Sequence, residues 1–393
     1  MKKGSTQMNF FDSKKTKTKG KLRVLYFTPF FTYGSENYLT NEVNAVVRNY
    51  KNIEFLVYVT TNVKQNEVIK YSDRISQVNR ISYKSLLFIK DMLKIFIKYK
   101  PDVVHSHYIV PSIFVNFFAK LFKVPTIFHG RGKDVNYFPY FSVKSKILLL
   151  IAGRLNNMIL TVGKSMKDNC LRFKIAKNKV KVIYNGIDFE KFNVKEKIFF
   201  SNQHPLNLLN LGVFSREKGQ HLIIEACKKL KDNNIEFHLT LIGDGNPRYR
   251  QKLVALINKY KLNDYVELMG WVEHKSLPNY MKNADVFVFP SITEGLPNVV
   301  LEAMSMKLVL ILTRVGGNLE LAQDIGSILV DINNPQQLYE AILHYYNNPR
   351  EIEIGGEINR SFIVKTFSWD KHAKELYNVY NLLAKKRKDI NEK

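Results

Sequence analysis

Two cysteines, Cys170 and Cys227, are all that 393 residues contain, and neither forms part of a CxxC or lies among histidines. That excludes a disulfide framework and a thiolate metal site, and it reads both as reduced core residues of a cytosolic protein. No apolar run approaches the roughly 20 residues that a spanning helix needs. The N-terminal MKKGSTQMNFFDSKKTKTKGK carries lysines without a hydrophobic region or cleavage site, so residues 1–20 read as a disordered basic tail and not as a signal peptide. G-x-G-x-x-G is missing, which weighs against a dinucleotide cofactor. No D-x-D stands at the end of a strand-like run, so a metal bridge is not indicated. No solenoid-length repeat occurs.

Acid is scarce as well, but only in one half. Residues 1–193 hold 34 Lys and Arg against 12 Asp and Glu, whereas the remainder holds 26 against 23, so nearly all of the net +25 lies in the first half. A uniform surface bias would not do this; that half meets a polyanion or an anionic membrane.

What is present is ample for folding. The length suits two domains, and 26 Phe, 21 Tyr and an apolar content of 45% supply their cores. The most informative stretch is ADVFVFPSITEGLPNVVLEAMSM, Ala284 to Met306. Asp285–Phe289 reads as a buried strand ended by Pro290, and Ser291–Leu296 as a loop with Gly295. Pro297 suits the first position of a helix that continues over Val299–Met306. A strand feeding a helix through a tight glycine turn aims backbone N–H groups into a crevice, where phosphate binds. Glu294 stands in the loop and Glu302 eight residues on, amid Val299, Val300, Leu301, Ala303 and Met304. Spacing alone leaves these as a capping acid and a solvated helix acid, or as a pair framing a ligand.

GLPNVVLEAMS, with E-x7-E across a loop–helix junction, resembles the family 4 retaining glycosyltransferases, GT-B enzymes that use sugar nucleotides. The resemblance runs from about Leu22 to Leu383. It implies an α/β chain of two doubly wound Rossmann-like domains facing a central crevice. It makes Glu294 the catalytic acid that holds the donor sugar near the reacting carbon, and Glu302 the one that holds the ribose. Gly295, Leu296, Pro297, Asn298 and Val299 then surround the donor.

The first domain, 21–193, opens with strand Leu22–Phe27, a loop with Gly34, and a helix that Ser35 could cap. By resemblance Gly34 and Ser35 approach the acceptor and the transferred sugar; capping is the alternative for Ser35. Ser82–Lys100 reads as an amphipathic helix with Leu86, Ile89, Leu93 and Phe96 inward and Lys90, Lys94 and Lys98 as a basic stripe. PDVVHSH ends a strand at His105 and His107, either structural or catalytic. PTIFHGRGKD ends another at His129, which resemblance places beside Glu294; Arg131 and Lys133 could meet an anionic acceptor or form a solvated loop. In YFPYFSVKSKILLLIAGRL, Tyr137, Phe138, Tyr140 and Phe141 precede Lys144 and Lys146, which suits an interfacial membrane segment or a core helix with a basic outer face. Asn185-Gly-Ile-Asp188 then Phe192 resembles the family string before the linker.

The second domain, 194–366, opens with strand Leu206–Gly212 and then SREKGQ, which puts Arg216 and Lys218 at the strand's carboxyl end. By resemblance Lys218 grips the donor pyrophosphate, with Arg216 standing in for an arginine that relatives carry where this chain has Val213. The glycines of Val315-Gly-Gly317 read as admitting the ligand closely. Residues 367–393 form a helix crossing back to the first domain, through Leu383, and a fraying KKRKDINEK tail.

These readings combine into a hexosyltransferase-type retaining glycosyltransferase. It moves a sugar from a nucleotide-sugar donor to a lipid-linked saccharide acceptor in surface polysaccharide biosynthesis, without metal or other cofactor. It is expected on the inner face of the cytoplasmic membrane, peripherally bound through the basic first domain, with no nucleic-acid partner. The alternatives are a GT-B sugar-nucleotide epimerase, a basic nucleic-acid-binding protein and an NAD enzyme. The second lacks a reader motif or stacking platform, and the third lacks its fingerprint.

Overall fold

The computed structural model describes residues 20–28, 33–60, 68–72, 74–80, 86–136, 142–201 and 203–391. The expected tail, apart from Gly20, and the aromatic run Tyr137–Phe141 lie outside them. The chain forms two compact units: one runs to Gly186 and takes in Trp369–Lys393, the other is Ile187–Ser368. The sequence suggests boundaries at 193 and 366. The crossover comes earlier because the segment after Gly186 is bound by the second unit. Ile187 N–H donates to Phe367 O at 3.0 Å, and buried Phe192 offers its carbonyl to Ser305 Oγ at 2.7 Å and Arg360 at 2.9 Å.

The first unit is built on an eight-stranded sheet. Its strands are β1 (Leu22–Thr28), β2 (Ile53–Thr60), β3 (Val68–Ser72), β4 (Ile75–Arg80), β5 (Val103–His107), β6 (Thr126–Gly130), β7 (Met158–Thr161) and β8 (Val180–Val182). They lie in the order β3-β4-β2-β1-β5-β6-β7-β8, all parallel except the β3–β4 pair. Strands buried on both faces need apolar side chains in both directions, and β1 supplies them by alternation. Val24 and Tyr26 pack with the helices Tyr33–Asn49 and Trp369–Asn391, through Val43, Val46, Leu376 and Tyr380. Leu25 and Phe27 pack on the other face with Phe88 and Met92 from the helix Leu86–Lys94, Phe96 from the turn that follows it, and Phe118 from the helix Ile109–Leu121.

Three expectations change here. The first helix begins at Tyr33, so Ser35 lies inside its first turn instead of capping it; the side chains of 33–37 are not described. Leu86–Lys94, continued by a π-turn at Ile95–Tyr99, buries Phe88, Met92, Ile95 and Phe96, whereas Ile89 and Leu93 point outward beside Lys90. Two apolar stripes share the helical period in this segment, and the aromatic-rich one wins the sheet. The last helix holds through Asn391, so Lys385–Lys388 are helical and not frayed.

The second unit is a six-stranded parallel sheet: β9 (Leu206–Leu211), β10 (Phe237–Ile242), β11 (Val266–Leu268), β12 (Val286–Phe289), β13 (Val309–Thr313) and β14 (Ser327–Val330). The order is β11-β10-β9-β12-β13-β14, so the winding reverses between β9 and β12. β12 and β13 are buried along their whole length, as a strand covered by helices on both faces must be.

Candidate active site

Ligands of open α/β sheets bind at the carboxyl ends of the strands where the winding reverses. In the second unit that is the space between the loops leaving β9 and β12. Three contacts fasten these loops together. Ile292 N–H donates to Glu217 O at 2.9 Å. Gly219 sits at φ 72°, and a Cβ there would come within 2.4 Å of Pro290 O, so only glycine meets both demands. Lys218 Nζ donates to Glu294 Oε1 at 2.5 Å while lying 5.0 Å from the centre of the Phe289 ring. Two residues 76 apart in sequence, each selected for a donor role, therefore meet.

The helix Asn298–Ser305 starts at this point without a side-chain cap. Pro297 stands before it, at φ −75° and ψ 111°, and not as its first residue. Leu296 and Pro297 are buried, so Asn298 and Val299 offer the first helical amides. Gly317 admits this loop closely: a Cβ there would fall 2.0 Å from Gly295 O. Arg216 is exposed on the short turn before Lys218. Burial, with smaller contributions from Lys252 and then Arg216, pushes the neighbouring His221 down to about 4.

Glu302 lies in the second turn of that helix and is nearly buried, at 8% exposure. Its partner is a residue that the sequence reading passed over. His274 Nε2 lies 2.7 Å from Glu302 Oε1, and Lys191 Nζ lies 2.5 Å from His274 Nδ1. An ammonium can only donate, so His274 accepts at Nδ1 and carries its proton at Nε2, facing the carboxylate. Phe192 packs edge-on against the His274 ring at 5.3 Å.

In the first unit, the winding reverses between β1 and β5, and a buried polar network fills the carboxyl ends of β5 and β6. Glu42 is its centre. Oε1 accepts from Tyr26 OH at 2.6 Å; Oε2 accepts from Tyr38 OH at 3.2 Å, Arg131 Nη2 at 2.9 Å and His372 Nε2 at 2.8 Å. Burial alone would raise the Glu42 pKa, but the Arg131 charge and the His372 hydrogen bond hold it well below the usual range. Arg131 stacks over the Tyr38 ring at 4.3 Å and donates from Nε to His107 Nδ1 at 3.1 Å, so the His107 proton is on Nε2.

His105 Nδ1 lies 2.7 Å from Tyr380 OH, and its Nε2 lies 3.1 Å from His129 Nδ1. Burial, reinforced by Arg131, pushes His105 down to about 3 and holds His107 and His129 well below the usual range. All three are therefore neutral. The Nε2 atoms of His107 and His129 are buried without a hydrogen-bond partner among the described residues. Tyr108, directly after His107, holds φ 66° and ψ 150°, a strained backbone state of the kind that gathers at functional sites. Asp134 accepts from the N–H groups of Arg131 and Gly132 and closes the loop.

The structure thus joins Lys218 to Glu294 and groups His129 with Arg131, His105 and His107. Gly34 and Ser35 lie in the first turn of their helix and Lys133 begins the short helix Lys133–Asn136, but the Ser35 and Lys133 side chains fall outside the described residues. Glu42, His372, Tyr380, Lys191 and His274 went unnoticed. Glu42 had one signal, an acid on the inward face of an apolar helix; the others are brought in from far along the chain.

Two doubly wound sheets in one chain, each with polar residues gathered at its reversal point, define the GT-B architecture of glycosyltransferases. The chain belongs to glycosyltransferase family 4: residues 33–191 match Glycosyltransferase Family 4 and residues 192–361 match Glycosyl transferases group 1. It is 29% identical over 353 residues to the uncharacterized glycosyltransferase MJ1178 of Methanocaldococcus jannaschii, covering 88% of this chain and 95% of that one. It is 27% identical over 323 residues to the UDP-Gal:alpha-D-GlcNAc-diphosphoundecaprenol alpha-1,3-galactosyltransferase of Escherichia coli, covering 76% of this chain and 79% of that one. The crystal structure of Anabaena Alr3699/HepE in complex with UDP and glucose superposes with a TM-score of 0.76 at 15% identity, covering 92% of this chain and 99% of that one.

Proposed function

We propose that this glycosyltransferase works with retention and without metal. It transfers a sugar from a nucleotide-sugar to a lipid-linked saccharide on the inner face of the cytoplasmic membrane, during surface polysaccharide assembly. The observation that carries the donor half of this reading is the Lys218–Glu294 pair at the reversal point of the second sheet, beside an uncapped helix start. Lys218 and the first helical amides stabilise the departing diphosphate by positive potential already in place. Glu294 orients and polarises the sugar, and Glu302 accepts from the ribose hydroxyls.

In front-face transfer the bond between the anomeric carbon and the phosphate oxygen breaks. The acceptor oxygen bonds to that carbon from the same side, and its proton passes to the leaving phosphate oxygen. His129 takes a sugar hydroxyl at Nε2, which is buried without a hydrogen-bond partner among the described residues. Arg131, fixed by Glu42 and His107, positions the histidines. Its permanent charge against His107 also disfavours a cation among His105, His107 and His129, whose ring nitrogens lie within 4.8 Å of one another.

The acceptor and membrane half is supported by the E. coli relative, named for a diphosphoundecaprenol acceptor. It is supported too by the outward Ile89, Leu93 and Ile97, which alternate with Lys90, Lys94 and Lys98 on one helix. Among the described residues no helix is long and apolar enough to cross a membrane.

The test is the Lys218→Met, Glu302→Gln double variant, assayed for sugar-nucleotide affinity and turnover; unchanged values would end the reading. Product anomers read by NMR decide retention, turnover in EDTA decides the metal question, and incubation without acceptor separates transfer from epimerisation.

A further inference from the structure

A second basic site lies at the opposite end of the first sheet from the histidines. An open cavity of about 460 Å³ is lined by Lys120, Lys123, Arg154, Lys179, Lys386 and Arg387, and no aspartate or glutamate lines it. Thr126 begins β6, Asn157 precedes β7 and Lys179 precedes β8, so the cavity sits at the amino ends of these strands. His107 and His129 are a strand length away, about 16 Å for five residues.

Six cations around one cavity repel one another. Arg387 Nη1 lies 3.9 Å from Asp102 Oδ1. Lys179 and Arg387 are tied to backbone carbonyls: Lys179 reaches Gly153, Arg154 and Asn156, and Arg387 reaches Pro101 and Phe122. Arg387 Nε is buried there without a partner among the described residues. Lys120, Lys123, Arg154 and Lys386 are exposed and make no ion pair among the described residues. This is a preformed wall of donors in need of an anion.

The surroundings say which kind. The cavity takes Lys120 from the helix Ile109–Leu121 and Arg154 from Val143–Leu155, two helices that pack side by side. Both run antiparallel to the strands, so both end at the cavity. Their outward faces carry large apolar side chains, with Lys144 and Lys146 also exposed near the start of the second helix. Phe117 is 70% exposed, Leu121 64% and Val143 75%, with Phe114 and Ile147 between. An apolar double stripe that terminates in cations matches a bilayer, with hydrocarbon along the helices and phosphates at their ends.

We propose that this cavity binds the phosphate of an anionic membrane lipid headgroup while Phe114, Phe117, Leu121, Val143 and Ile147 enter the interface. The site deepens the membrane half of the proposed function and rests on it. It would fix the orientation of the first unit on the bilayer, which a diffuse basic charge does not.

The test uses the full chain and vesicles of phosphatidylcholine alone, doped with phosphatidylglycerol, or doped with oleate to the same surface charge. Lys123→Gln with Lys386→Gln is compared with Lys252→Gln with Lys282→Gln, an equal charge loss on exposed positions of the second unit. Sugar-nucleotide binding checks that each variant is folded. The cavity variant should lose about tenfold or more on phosphatidylglycerol vesicles and the control about twofold or less, with weaker binding of the wild type to oleate vesicles. If the wild type binds no anionic vesicle, the membrane reading itself fails. If it binds but both variants lose equally, or oleate serves as well as phosphatidylglycerol, docking stands and the headgroup site is refuted. Competition by free inorganic phosphate at millimolar levels, with vesicle binding unchanged in the cavity variant, would make it a soluble-anion site and overturn the proposal.

Discussion

His274 Nε2 stands 2.7 Å from Glu302 Oε1, a contact that engages one carboxylate oxygen of a nearly buried acid. Lys191 behind His274 fixes which ring nitrogen carries the proton. The arrangement is a relay of ammonium, imidazole and carboxylate that holds Glu302 in one rotamer.

His274→Ala should therefore weaken sugar-nucleotide binding by about tenfold, the loss of one hydrogen bond to a charged group. The loss should be specific to the ribose. Calorimetry with a ribonucleotide and its deoxy analogue checks this: the wild type discriminates between them, and the discrimination shrinks in His274→Ala. Equal weakening for both ligands would show that His274 only supports the local fold.

Lys218 and Glu294 form the pair most exposed to kinetic test. Removing one preorganised donor to a developing anion costs roughly 10²–10³ in kcat. Lys218→Met should show that loss in kcat with a smaller rise in KM, because leaving-group charge develops only as the bond breaks. Lys218→Arg should recover part of the rate. Glu294→Gln should lower kcat while leaving nucleotide diphosphate affinity within about threefold, as expected of an acid that serves the sugar and not the diphosphate. Steady-state kinetics with binding of the free nucleotide separates the two effects.

The second unit was readable because its signals are local. Alternating Val and Phe, a bounding proline and a glycine turn made β12 and the helix after it legible, and Lys218-Gly219 marked the loop after β9. What failed to show in the sequence are contacts made across long separations. Glu42 meets His372 across 330 residues and His105 meets Tyr380 across 275, and no window of sequence contains either pair. The helix Leu86–Lys94 fails differently. Leu86, Ile89, Leu93 and Phe96 keep the helical period, and so do Phe88, Met92 and Ile95; only the sheet, which takes Phe88 beside Phe27 and Tyr58, decides between them.

Removing Arg131 should be costly to the first unit. Glu42 is fully buried and ionised, and Arg131 is one of the two cationic-type donors that hold it so. Stripping one partner from a buried ion pair leaves an uncompensated charge, typically a loss of about 3–5 kcal/mol. Arg131→Met should lower the unfolding free energy obtained from urea titration by that amount, and Glu42→Gln combined with it should restore part of the loss. A double variant no more stable than Arg131→Met would show that the pair is not the unit of stability.

Acid should destabilise the first unit well above the range where ordinary carboxylates protonate. An unfolded histidine takes its proton near pH 6.5, whereas burial delays His105 to about 3 and also holds His107 and His129 low. Between those limits the unfolded chain binds protons that the folded chain lacks, so stability falls as pH drops from about 6.5 to about 3, and these groups contribute no slope above 6.5. Glu42 adds to the loss below about 4.3, where the unfolded carboxylate protonates first. Urea midpoints measured from pH 8 to pH 4 should be level at first and then decline below 6.5. The decline should flatten in His105→Gln, which keeps a polar side chain but cannot titrate. A slope that begins only near pH 4.5 would remove the buried histidines as its cause, and one that survives the substitution unchanged would remove His105.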